Sequence, residues 1–296
     1  LSIIAPKVYN DMVKSLVVKA EQGGWLPIFP MWNSYTSAMI GDHSVSILAD
    51  AAIKGFDFDL EKAYQYMFKN AFETPADSAE YIDGKGRRAL PSYLKYGYIP
   101  LEDEVLQAFH KREQVSRTLE YAYDDWAIAQ VAKKLNKTDD HNELMARSQN
   151  YRKVFDPQKG WVCGRFADGT FTEDFSATEH LSYITEGSPK HYTFYVPHDV
   201  AGLMDLMGGK EKFAAQLDTM IDHHEYWHGN EPSHQIPYLF NYVGNWKKTQ
   251  ETVKYLLKTE YGLGPGGISG NDDAGQMSAW YVFGAMGFYP VCPGSN

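Results

Sequence analysis

What most restricts the folds open to this chain is the recurrence of apolar residues at helical spacing along nearly its whole length. Such stretches run from Val8 to Glu21, Val45 to Lys54, Leu60 to Phe72, Ser116 to Leu135, His141 to Val154, His198 to Met207, Glu211 to Asp222, Gln250 to Tyr261 and Gly275 to Gly287. Apolar residues at i, i+3, i+4 and i+7 bury one face of a helix. In the clearest stretch, Leu119, Tyr123, Trp126 and Ala129 make one stripe, Ser116 suits an N-cap, and Lys133 and Lys134 sit at the end that favours cations. Strand patterning is sparse, with Trp161 to Thr172 the best hairpin candidate. At 296 residues the chain can bury a large core. With no repeat of fixed period, the alternation of helix and loop predicts one all-α domain over residues 1–296, a toroid of helical hairpins.

Composition excludes several function classes. The formal charge is 28 − 38 = −10, which repels phosphate backbones, so no nucleic-acid partner is expected. No apolar run approaches the roughly 18 residues a membrane-spanning helix needs. Cys163 and Cys292 are the two cysteines, enough for one bridge or two thiols but not for a disulfide framework. Aromatic residues reach 15%, with 21 Tyr and 7 Trp, and supply flat faces that pack cores or stack on ligands.

Three short motifs imitate known sites. Gly262 to Gly267 satisfies G-x-G-x-x-G, but a helical pattern precedes it where a dinucleotide site requires a strand, so it reads as a helix-terminating loop. His224-Glu225-Tyr226-Trp227-His228 matches H-E-x-x-H, in which two histidines on one helical face hold zinc and the glutamate is the base. A zinc peptidase using His224, Glu225 and His228 is thus an alternative function, although Gly229-Asn230 directly follows the second histidine. Asn271-Asp272-Asp273-Ala274-Gly275 lacks the later ligands of an EF-hand loop, yet could offer oxygens to calcium in another arrangement.

The loops between helices are longer than turns require, and such loops in compact domains tend to carry function. Three of them combine acids with small residues: Thr185-Glu186-Gly187, Gly229-Asn230-Glu231-Pro232-Ser233-His234, and Gly270-Asn271-Asp272-Asp273-Ala274-Gly275-Gln276. Glycoside hydrolysis needs one protonated and one ionised carboxyl group across a sugar, and hard divalent cations need several oxygen ligands.

The order of these loops, with GGWLPIFPMWNSYTSAMIGDH at 23–43, YLKYGYIP at 93–100, SRTLEYAYDDWAIAQ at 116–130, TEGSPKHYTFYVPHDVAGL at 185–203, GNEPSHQIPYLFNYVGNWKKTQ at 229–250 and GNDDAGQMSAWYVFGAMGFYPVCPG at 270–294, resembles glycoside hydrolase family 92, the calcium-dependent exo-α-mannosidases. The resemblance implies an (α/α)6 barrel and an inverting release of terminal mannose from N-glycans or mannan, α-1,2 being the expected linkage. It also implies a secreted, periplasmic or cell-surface setting, bacterial glycan degradation, and a separate N-terminal β-sandwich domain lying outside these residues. Because sugar contacts in the family come from both domains, the 296 residues alone are expected to be weakly active or inactive.

The resemblance assigns Glu186 as general acid and Asp273 as base with Asp272 as its partner. Asn230, Glu231 and Asp272 become Ca²⁺ ligands. Trp25, Trp32, Asp42, His43, Asp125, Trp126, His198, Asp199, His234 and Gln276 become candidates to contact the sugar or support those that do. Inversion implies acid and base carboxyls about 6.5–9.5 Å apart, leaving room for water. Where the family commonly has Asn, a small residue and Trp after Thr-Glu-Gly, this chain has Ser188-Pro189-Lys190-His191, which implies an altered leaving-group subsite. The His-Glu pair that accompanies α-1,2 selectivity has its nearest match, His224-Glu225, about two residues early.

Overall fold

A computed structural model describes residues 1–295 and divides them into two compact units: 1–154 with 163–173 and 292–295, and 155–162 with 174–291. The fold is all-α as expected, 51% helical, with thirteen α-helices among the described residues.

The first unit contains α1 (Pro6–Gly23), α2 (Ser44–Ile53), α3 (Leu60–Phe72), α4 (Ser78–Ile82), α5 (Leu90–Tyr96), α6 (Gln114–Lys134) and α7 (Thr138–Arg147). Pro6 opens α1 where a missing N–H costs nothing, and Gly24, at φ 81°, closes it with its N–H on the Ala20 carbonyl. Asp59 caps α3 by accepting the Lys62 N–H. Val13, Val17, Leu48, Met67, Ile128 and Val131 meet in one core beneath these helices. The single stripe expected on α6 is too modest: Leu119, Tyr123 and Ala129 are buried, but so are Arg117, Glu120, Asp124 and Asp125. The helix runs through the middle of its unit and starts at Gln114, after Glu113 in the left-handed region, placing Ser116 inside it. The stretch read as His141–Val154 is α7 followed by a 3-10 segment, Ser148–Val154.

The second unit begins with strands β1 (Phe155–Asp156) and β2 (Trp161–Val162), antiparallel with Phe155 opposite Val162. This moves the expected hairpin upstream; Arg165 and Phe171, in the first unit, form a separate isolated bridge. Then come α8 (Pro189–Thr193), α9 (Val200–Leu206), α10 (Lys210–Asp222), α11 (Ile236–Leu239), α12 (Trp246–Thr259) and α13 (Gln276–Met286). Thr249, Thr252, Val253 and Leu256 form the buried face of α12, and Tyr238, Val253, Leu256 and Trp280 knit α11, α12 and α13 together. No disulfide joins Cys163 and Cys292. Among the described residues no helix is long and apolar enough to cross a membrane.

Candidate active site

The acid-bearing loops at 186, 230–231 and 272–273 converge within the second unit, and backbone contact between glycines brings two of them together. A Cβ on Gly270 would stand 2.5 Å from the Gly229 carbonyl oxygen, and one on Gly229 would stand 2.7 Å from the Ser269 oxygen. Side chains at either position would wedge the two loops apart. The contact places Asn230 and Glu231, which open a 3-10 turn, beside the turn Asp273–Gly275 that leads into α13.

Asn230 and Glu231 each hold a different acid. The Asn230 Nδ2 donates to Glu186 Oε2 at 2.8 Å, while Glu231 hydrogen-bonds Asp273. Burial raises the Glu231 carboxyl to about 7, against the lowering effect of its own backbone N–H; the charges of Asp273 and Glu186 and the bond to Asp273 raise it further. Its Oε1 is buried with no hydrogen-bond partner. Glu186 sits at φ 56° in a tight turn whose Gly187 N–H reaches the Thr185 carbonyl at 2.5 Å. Asp273 and Ala274 follow at φ 47° and 57°. Side-chain-bearing residues enter this region at a cost of about 1–3 kcal/mol each, and strain of this kind collects at functional sites.

Asp272 does something else. Its Oδ1 accepts the Ser278 N–H at 3.0 Å and the Ser278 hydroxyl at 2.8 Å, capping the first turn of α13. The acid that hydrogen-bonds Glu231 is thus Asp273, while Asp272 is engaged with Ser278.

Behind these acids His234 is buried, and its Nε2 donates to the His228 carbonyl at 3.0 Å. Gln276 Nε2 approaches His234 Nδ1 and the Tyr289 hydroxyl, both at 3.4 Å. Burial lowers His228 to about 3 and His234 to about 4. Asp199 caps α9 through the Gly202 N–H, with His198 half-buried before it.

The zinc alternative is overturned. Helix α10 ends at Asp222 and His224 lies at φ 58°, so the motif has no helical face. Glu225 pairs with Lys190, and both ring nitrogens of His228 are engaged, with the Tyr226 and Tyr261 hydroxyls at 2.7 and 2.8 Å. Lys190 and His191, the departure noted after Glu186, belong to α8, capped by Ser188. His191 Nε2 donates to the Glu225 carbonyl at 2.8 Å. This locking of α8 to residue 225 was missed in the sequence, where no helix was read over 189–193.

The first unit places its candidates differently. Arg87 Nε binds Asp42 Oδ2 at 2.9 Å and its Nη1 binds Asp125 Oδ1 at 2.7 Å. Arg147 grips both oxygens of Asp125 at 2.9 Å, and Tyr93 donates to it at 3.0 Å. Asp42 and Asp125 are wholly buried and anchor the unit through these bonds. His43 donates from Nδ1 to Asp124 at 3.0 Å and from Nε2 to Glu120 at 2.8 Å. Two carboxylate acceptors require an imidazolium: burial opposes the charge, but Asp124 and Glu120 overcome it and hold His43 well above its ordinary value. Trp25 is buried with the Lys69 ammonium 4.1 Å from its ring centroid, and Trp126 stacks on Tyr123. Trp32 is 91% exposed.

A model of the glycosyl hydrolase family 92 catalytic domain matches residues 1–296. Two solved structures from Bacteroides thetaiotaomicron are similar. A family GH92 α-mannosidase is 38% identical with a TM-score of 0.87, over 98% of this chain and 38% of that one. A family GH92 inverting mannosidase is 35% identical with a TM-score of 0.87, over 98% and 41%. Among curated proteins, an uncharacterized secreted glycosidase of Arthroderma benhamiae is 29% identical, over 97% of this chain and 40% of its own length. The chain thus spans about two fifths of the relatives it matches. A match along every residue, with the resemblance read from the acid-bearing loops, shows that the chain belongs to glycosyl hydrolase family 92.

Proposed function

We propose that this chain is the catalytic portion of an inverting exo-α-mannosidase. Its substrates are terminal mannosides of N-glycans or mannan, preferentially α-1,2-linked, and its helices form a single (α/α)6 barrel. The observation that carries the reading is the dipeptide Asn230-Glu231, which engages Glu186 on one side and Asp273 on the other. Two acids held by successive residues of one spacer suit a water standing between sugar and base, as inversion demands. The similar solved structures are titled as α-mannosidases, one of them inverting.

In this mechanism Glu186 is the acid. Its Oε2 accepts from Asn230, so the transferable proton resides on Oε1 and passes to the glycosidic oxygen as the bond breaks. Asp273 takes the proton from the attacking water. Glu231 hydrogen-bonds Asp273 and holds it in place as the base.

The donor chemistry also fits a hard cation. Asn230 offers an amide oxygen, Glu231 an unpartnered buried Oε1, and Asp272 the oxygen not occupied by Ser278. Among the described residues no three His, Cys, Asp or Glu side chains are spaced to hold an ion by themselves, so the remaining ligands would be water and substrate hydroxyls. Bound Ca²⁺ would orient the sugar and offset charge developing at its hydroxyls.

The secreted name of the fungal relative supports an extracytoplasmic setting, and further substrate contacts are expected from a β-sandwich domain of the same enzyme. The test is proton NMR of an α-1,2-mannobiose digest by the intact enzyme, with EDTA and calcium arms. β-Mannose should appear first, chelation should stop its release and calcium should restore it. First appearance of α-mannose, or calorimetric sugar binding without release, overturns the reading; the latter outcome identifies a binding module.

A further inference from the structure

The histidines behind the acids form a hydrogen-bond array whose direction is determined. Tyr261 has one hydroxyl proton, and it goes to the Met277 carbonyl at 3.0 Å. Tyr261 must therefore accept from His228 Nε2 at 2.8 Å, so that nitrogen is protonated. In a neutral ring Nδ1 is then bare and accepts the Tyr226 hydroxyl at 2.7 Å. The same reasoning fixes the second histidine. A carbonyl can only accept, so the contact of His234 Nε2 with the His228 carbonyl puts the proton on Nε2. The two rings are stacked, centroids 5.0 Å apart, and burial opposes a positive charge on either, outweighing the pull of Asp273 on His234. His234 Nδ1 is consequently a bare acceptor facing the first residue of α13.

We propose that His234 is a positioning residue that fixes the amide of Gln276, drawing its Nε2 inward to His234 Nδ1 and Tyr289 so that its carbonyl Oε1 is turned outward beside Asp273. An amide carries its donor and acceptor on opposite branches, so occupying the nitrogen from behind decides which branch faces the substrate. The charge of Asp273 is felt at His234, which places the array at the acid cluster. Gln276 then offers an acceptor to sugar hydroxyls rather than competing with them as a donor. This rests on the mannosidase reading for its kinetic consequence, but not for its chemistry. Trp280 supports the arrangement by donating to the His234 carbonyl at 2.9 Å.

Two substitutions separate positioning from packing. In His234→Asn the side-chain Oδ1 occupies the place of Nδ1 and keeps the acceptor; in His234→Gln the longer chain keeps the contact near Nε2 and loses it. His234→Gln should lower kcat/KM of the intact enzyme on α-mannosides about 10–100-fold, and His234→Asn should recover most of that loss, although glutamine fills the space better. Equal losses, or a better-performing glutamine, overturn the proposal. Long-range ¹H–¹⁵N correlation of the wild-type histidines gives a readout independent of turnover: His234 should show a protonated Nε2 and a bare Nδ1. In Gln276→Glu the same ring should become an imidazolium, since a carboxylate now faces Nδ1. A wild-type Nδ1–H refutes the assignment even if neither His234 variant folds. Absence of mannosidase activity in the wild type would fail the functional reading and leave the spectra to judge this one.

Discussion

The two units use the same residue types to opposite ends. In the first, Asp42, Asp125, Asp124 and Glu120 face Arg87, Arg147 and His43, and each carboxylate in the network has a cation within hydrogen-bond distance. In the second, Glu186, Glu231 and Asp273 face one another, and the histidines behind them are driven neutral. A carboxylate matched to a buried guanidinium has its oxygens occupied: Asp42 is held by Arg87 and Asn70 even though burial raises it to about 6 against the pull of Arg87. Carboxylates crowded together compete for protons, which general acid and base chemistry uses. A buried acid is thus informative about function only once its partner is known.

The sharpest break of the comparison is to remove one charge from each side. Glu186→Gln and Asp273→Asn should each lower kcat about 10²- to 10⁴-fold with little change in Tm, because neither oxygen set supports the core. Wild-type turnover in either variant would remove that residue from its role. Asp125→Asn should do the reverse, destabilising the protein by about 3–5 kcal/mol, since Arg87 and Arg147 would be left buried without their shared counter-charge. Denaturant unfolding of this variant tests it; a near-wild-type midpoint would show that the network is dispensable.

Acidity should separate the units next. His228 and His234 are lowered in the folded protein, to about 3 and 4, whereas both titrate near 6.5 when unfolded. Protonation therefore favours the unfolded chain below pH 6.5, and the stability they contribute is complete above that value and lost toward pH 4. The pair should cost about 3 kcal/mol between pH 6.5 and 5. His43 runs the other way: raised in the folded state, it contributes fully below pH 6.5 and loses that contribution as pH rises through its elevated value. Urea titrations across pH test both limbs. His228→Asn should roughly halve the acid slope, and an unchanged slope would mean that His228 is protonated when folded.

How much of this was legible depended on length and on locality. The helix read as Leu60–Phe72 is α3 to the residue, because three turns repeat the apolar spacing often enough to define it. The helices α4, α5, α8 and α11 have four to seven residues, fewer than two turns, and lay outside the helical stretches read from the sequence. His224 to His228 shows the converse failure: the spacing is helical, but the helix has already ended at Asp222. The acid loops were visible because acids beside glycines are a local signal. Their division of labour was not, since nothing in Asp272-Asp273 says that the first will cap α13 and the second will meet Glu231. The partnership of Arg87 with Asp42 and Asp125 joins residues 45 and 38 positions apart, beyond any local pattern.

The smallest predicted effect concerns how the site is held rather than what it contains. Gly270→Ala adds one methyl group, which would lie 2.5 Å from the Gly229 oxygen and 2.8 Å from its Cα. Both neighbours are backbone, so relief requires the loops to separate by roughly an ångström, at a cost of about 1–2 kcal/mol. That movement would carry Asp272 and Asp273 away from Asn230 and Glu231 while leaving every carboxyl group present. Turnover should fall by more than the stability change explains, and the deficit should exceed that of an alanine at Gly266, around which the space is open. If Gly270→Ala and Gly266→Ala behaved alike, the glycine contact would have no part in assembling the acids, and the convergence of the 230 and 273 loops would need a different cause.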